Sequence, residues 1–152
     1  MLLSMRNFLL SISLFSLSQL CPLPTKAQAI FPDSIGKKVR YSALIEMPKA
    51  YISGVCILVR DFTEVKGSVF NEFGISAIDF SYHMKKDKVK IISVMNMIDK
   101  WYIRKVLKAG LRTLLHCLQK GETHYNDKKY KLDYTFIPMK EDTTIDTNET
   151  EK

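Results

Sequence analysis

The chain has 152 residues, 46% hydrophobic, 26% charged and 11% aromatic, with 23 Lys and Arg against 16 Asp and Glu for a net charge of +7. That balance excludes a collagen-like repeat, a long disordered polymer and a multi-span membrane protein. Three Cys are too few for a disulfide-dense scaffold or a zinc ribbon, and the length suits one domain.

Residues 1–29 contain no acid and two bases, Arg6 and Lys26. An apolar run, Phe8–Leu20, is followed by Pro22 and Pro24 and then by Ala27-Gln28-Ala29. These are the basic, apolar and small-residue parts of a secretory signal peptide, with cleavage expected after Ala29. The run is shorter than the roughly 20 residues of a bilayer-spanning helix, so a retained anchor is the weaker reading. Cys21 raises the alternative of an acylated lipoprotein, but Leu20 is a poor residue immediately before such a Cys. The expected address is therefore the periplasm or the periplasmic face of the outer membrane.

The expected domain is 30–139. Lys38–Met47 alternates Val39, Tyr41, Ala43 and Ile45, a strand pattern that Pro48 ends. Tyr51–Arg60 is apolar on both parities, as in a strand covered on two faces or a central one, with Gly54 marking a bulge or a close backbone approach. Glu64–Asn71 places Val65, Gly67 and Val69 on one side, and Ile75–Met84 places Ile78, Phe80, Tyr82 and Met84 on one side. Lys85-Lys86-Asp87 reverses the chain into a strand over Lys88–Met95. The connections are too short for helical crossovers, which predicts an antiparallel meander.

The period changes at Met97. Ile98, Trp101, Tyr102, Val106, Leu107, Leu111, Leu114, Leu115 and Leu118 recur at three- and four-residue steps, the stripe of an amphipathic helix over 97–119. Asp99 is expected to complement the helix dipole and Gly121 to end the helix. Trp101 reads either as a core anchor or as a gate on an apolar groove. Beyond a loop holding His124, Tyr130–Met139 alternates again as a strand with one dry face, and 140–152 is a polar tail expected to be disordered. Cys56 and Cys117 read as two separate buried thiols in preference to a bridge.

Catalytic chemistry is not expected. His116 and Cys117 are adjacent on a helix and point about 100° apart; His83 and Asp79 lie about 13 Å apart along a strand. Metal-protease, nucleophile-elbow, Walker-type and CxxC motifs are absent, and three scattered His are a weak metal signal. Neither a cofactor nor a metal is expected. The basic residues form no Arg-rich stripe with stacking aromatics, so nucleic acid is not an expected partner.

In order, the leader, the strands, VKGSVFNEFGISAIDFSY, WYIRKVLKAGLRTLLH and the final aromatic strand resemble exported bacterial proteins of Bacteroides type. These are distantly similar to the lipoprotein-carrier superfamily of LolA and LolB. The resemblance covers roughly Tyr41–Pro138 and implies an incomplete β-barrel whose concave apolar face, covered by helices, holds acyl chains. The fold class expected is α+β, a curved antiparallel sheet with one long amphipathic helix across its concave face. The function expected is non-enzymatic binding of a lipid or lipoprotein acyl chain between sheet and helix. Its candidate lining is Ile78, Phe80, Tyr82, Trp101, Leu107, Leu111 and Tyr134. The alternative is a structural or partner-binding envelope domain with a fully packed core and no ligand.

Overall fold

A computed structural model describes residues 31–140. The leader expected over 1–29, with Cys21 in it, and the polar tail after Lys140 lie outside the described residues. The described chain forms seven strands: β1 (Lys38–Met47), β2 (Ala50–Arg60), β3 (Glu64–Asn71), β4 (Ser76–His83), β5 (Lys88–Val94), β6 (His124–Asp127) and β7 (Leu132–Pro138). Between β5 and β6 run a short 3-10 turn, Asn96–Ile98, and one long helix, α1 (Trp101–Gln119).

All pairings are antiparallel, in the order β5-β4-β3-β2-β1-β7-β6. The sheet curls into a half-barrel, and α1 approaches both edge strands, β5 and β6, so that it lies across the concave side. Register shifts at Val69/Phe70 and Asp79/Phe80 add local twist where the sheet bends. At Gly54 (φ 155°) a Cβ would overlap the Phe70 carbonyl oxygen, so the close approach expected there is what only glycine allows. The doubly apolar β2 is the middle strand of the seven.

Alternation decides which side of each strand is dry. Val39, Tyr41, Ala43 and Ile45 of β1, Cys56 and Leu58 of β2, Val65 and Val69 of β3, and Leu132, Tyr134 and Phe136 of β7 are buried. Onto this surface α1 lays Leu107, Leu111, Leu114, Leu115 and Leu118, all at 1% exposure or less. Each contributes about 1.5–3 kcal/mol as an upper figure, since the unfolded chain already hides some apolar area. At the far end, Glu122 N–H bonds to Cys117 O (2.9 Å) and Gly121 N–H to Leu118 O (3.1 Å), with Gly121 at φ 88°. That is a Schellman-type stop where the Gly121 signal placed it.

Four expectations need correction. The helix begins at Trp101, not Met97, and its first turn holds no acid; Asp99 lies before the N-cap residue Lys100 and pairs with Arg104 (Nε–Oδ1 2.5 Å). The loop expected around His124 is the strand β6, whose four residues are too few and too polar to reveal a period. The last strand starts at Leu132, because Lys131 (φ 54°) belongs to a turn. Cys56 and Cys117 are both free, but only Cys56 is buried, Cys117 being half-buried.

Helix and sheet come close at Gly110, where a Cβ would overlap the Tyr134 hydroxyl oxygen. That hydroxyl is buried without a hydrogen-bond partner, and burial pushes its pKa upward. Helix propensity favours Gly110→Ala by about 1 kcal/mol, whereas the overlap opposes it by roughly 1–3 kcal/mol. Gly110→Ala is therefore expected to lower stability in urea melts, and Tyr134→Phe to leave it unchanged or raised. Leu114→Ala should cost about 2–5 kcal/mol by the same measurement, and Leu114→Asp should abolish the folded state.

Candidate functional site

Because every strand is antiparallel, the β1–β2, β3–β4 and β6–β7 turns share one end of the half-barrel with the start of α1. At that end the leucine stripe gives out. Before Leu107, α1 offers Tyr102, Ile103 and Val106 in its place, none of them fully buried. Between them and the turns opens an apolar cleft of about 440 Å³. Met97, Ile98, Tyr102, Ile103, Val106 and Leu107 form one wall; Met47–Ala50 of the β1–β2 turn and Tyr130 and Leu132 form the other. Lys49 is the single charged side chain in that lining. The volume falls in the range of roughly 300–1,000 Å³ typical of small-molecule sites.

The cleft opens into an unusually greasy end of the molecule. Tyr51, Phe73, Ile75, Met97, Trp101, Tyr102 and Tyr130, most of the large apolar side chains left exposed, belong to the turns, the start of β2 and the helix start there. Trp101 and Tyr102 meet edge to face with ring centroids 6.0 Å apart. Such aromatic clusters are how proteins present apolar area with a polar rim.

The residues expected to line a groove divide unevenly. Ile78, Phe80, Tyr82, Leu111 and Tyr134 are each 3% exposed or less and belong to the packed core between helix and sheet. Phe80 lies over Gly67, its cross-strand partner, with ring atoms where a Cβ would be. Leu107 is the one candidate that reaches the cleft wall. Trp101 is neither core anchor nor lining residue: it is 78% exposed. Six residues before Leu107, it lies about 120° round the helix from that residue. The wall residues Met47, Met97, Ile103 and Tyr130 were missed as site residues. Their signal was the weakening of the stripe before Leu107 together with apolar residues flanking the Pro48 turn.

The opposite end of α1 carries a polar cluster. Asp87 (φ 47°) projects from the β4–β5 turn. Its Oδ2 accepts from Arg112 Nε (3.0 Å) and Nη2 (2.6 Å). Its Oδ1 accepts from the Tyr82 hydroxyl (3.0 Å) and from His116 Nε2 (2.6 Å). The Arg112 guanidinium, then His116 and Tyr82, hold the carboxyl well below its usual range, at about 2, against some desolvation. With both oxygens engaged, Asp87 is a clamp between turn and helix and has no free basic site. His124 Nε2 stands 2.5 Å from Asp133 Oδ1 on the neighbouring strand. Among the described residues no cluster of His, Cys, Asp and Glu could hold a metal ion. No described helix is long and apolar enough to cross a membrane.

Comparison with protein-family models, with curated proteins and with solved structures finds no match. The cleft and the two ends of the helix therefore carry the functional argument.

The clamp has a signed consequence. Its carboxylate is stabilised relative to an unfolded value near 3.9, so its contribution is complete above that pH and disappears as pH falls toward about 2. Asp87→Asn should lower the melting temperature at neutral pH and flatten its decline between about pH 4 and 2. Melts of the two proteins across that interval check this; parallel curves would contradict it.

Proposed function

We propose that this protein is a non-enzymatic, exported envelope protein that takes a lipid or lipoprotein acyl chain into the cleft at the start of α1. The observation that carries this reading is the coincidence of an apolar-walled cleft with the exposed aromatic end of the molecule. Hydrocarbon binding needs burial and little direction. A single lysine at the rim, Lys49, suits a chain whose polar end stays outside. The half-barrel with its covering helix agrees with what the resemblance to lipoprotein carriers implies. The site sits at the end of the seam, because its middle is occupied by the protein's own side chains.

One observation favours the second reading, a packed structural or partner-binding domain. Ile78, Phe80, Tyr82, Leu111 and Tyr134 are buried among the protein's own side chains, and the exposed aromatic end would then serve a protein partner. Chemistry on a substrate is the weakest alternative, since the Asp87 cluster spends its acceptor sites on its own neighbours.

A fluorescent fatty-acid probe separates the two. Saturable binding is expected. Ala50 is exposed at the cleft wall, so Ala50→Trp should obstruct the cleft without disturbing the core. It is expected to weaken the probe at least about tenfold with an unchanged melting temperature. No binding, or binding indifferent to Ala50→Trp, would sink the acyl-chain reading and leave the packed domain.

A further inference from the structure

A second cleft, of about 380 Å³, lies on the β5 side of α1. Cross-strand pairing sets its floor. Ser81 faces Lys90 and His83 faces Lys88 across β4 and β5, while Glu64 of β3 stands opposite His83. Lys86 from the turn and Lys108 from α1 complete the wall with Val89. Four lysines thus border one space that a single acidic residue, Glu64, also borders. None of the four lysines has an ion-pair partner among the described residues, whereas nearby Lys66 and Arg112 hold Asp61 and Asp87 at 2.9 and 2.6 Å.

Lysines on a strand face are ordinarily just solvated, so the charge alone decides nothing. The second observation is Ser81. At 7% exposure it is the one polar residue buried among the described residues. Its hydroxyl lines this cleft and makes no hydrogen bond with a described residue. His83 beside it likewise carries a buried Nδ1 without a partner. The Ser81 hydroxyl is not among the buried atoms left without a partner, so it is open to the cleft, where an anion could accept from it while relieving the mutual repulsion of the lysines.

We infer that this cleft binds a phosphate group, with the Ser81 hydroxyl donating to one oxygen and the lysine ammonium groups surrounding the others. A tetrahedral, multiply charged acceptor suits several mobile point-charge donors better than a planar carboxylate does. The site is separate from the acyl-chain cleft and stands whether or not that reading holds. The phosphate is either free or the headgroup of a phospholipid.

The test is calorimetric titration of the purified protein with inorganic phosphate, against chloride at matched ionic strength to remove general screening. One saturable site is expected. Lys88→Gln with Lys90→Gln should weaken it at least about tenfold, and Lys108→Gln, remote in sequence, should weaken it by several-fold. Ser81→Ala, which leaves the charge untouched, should also weaken it several-fold, while Lys129→Gln at the other end should have no effect. Circular dichroism confirms that each variant is folded. Vesicles of phosphatidylcholine with phosphatidic acid assign the source. Retention that inorganic phosphate competes away identifies a lipid headgroup; soluble binding without retention identifies free phosphate. Equal responses to phosphate and chloride, or a folded Ser81→Ala protein with full affinity, would overturn the inference.

Discussion

Burial of one leucine stripe against a curled sheet is the interaction on which the rest of this molecule depends. A curved antiparallel sheet leaves an apolar hollow that solvent would otherwise fill, and a helix of about 28 Å is long enough to span it. Leu107, Leu111, Leu114, Leu115 and Leu118 supply the contact, with Gly110 admitting the Tyr134 ring close to the helix backbone. An isolated helix of this length would be marginal in water, so its order comes from docking. The Asp87 clamp then ties the far end of the helix to the β4–β5 turn through Arg112, His116 and Tyr82.

The same stripe explains where binding space survives. From Leu107 to Leu118 it is continuous and the seam is solid. Before Leu107 it weakens, and the turns at that end do not close over the gap. A filled core with an open end reconciles stability with a pocket, since the residues that hold the fold are not those that line the cleft. The lysine-walled cleft on the β5 side draws on another part of the same helix, Lys108, one residue beyond Leu107. Adjacent residues thus point into spaces of opposite character, as the turn angle of a helix requires.

Much of the architecture was legible because strands and helix write different periods. The five strands of the meander, the central position of β2, the stripe of α1 and the Gly121 stop follow from alternation, from three- and four-residue steps and from one glycine. What could not be read were contacts between distant residues and short elements. Nothing local tells that Asp87 meets Arg112 and His116, or that the four residues of β6 pair with β7. The candidate groove was placed by apolarity, which marks what is buried and not what is empty. That is why Ile78, Phe80, Tyr82, Leu111 and Tyr134 proved to be packing, and why Trp101, off the stripe by rotation, faces solvent.

Methionine methyl groups offer the most direct reading of whether hydrocarbon occupies the end of the seam. Met47 and Met97 line the cleft, whereas Met84 begins the β4–β5 turn at the opposite end of the sheet. With methyl-labelled protein and a spin-labelled fatty acid, the Met47 and Met97 resonances should broaden first and saturably while that of Met84 stays sharp. Uniform broadening, or none at a fatty-acid excess, would contradict the central claim.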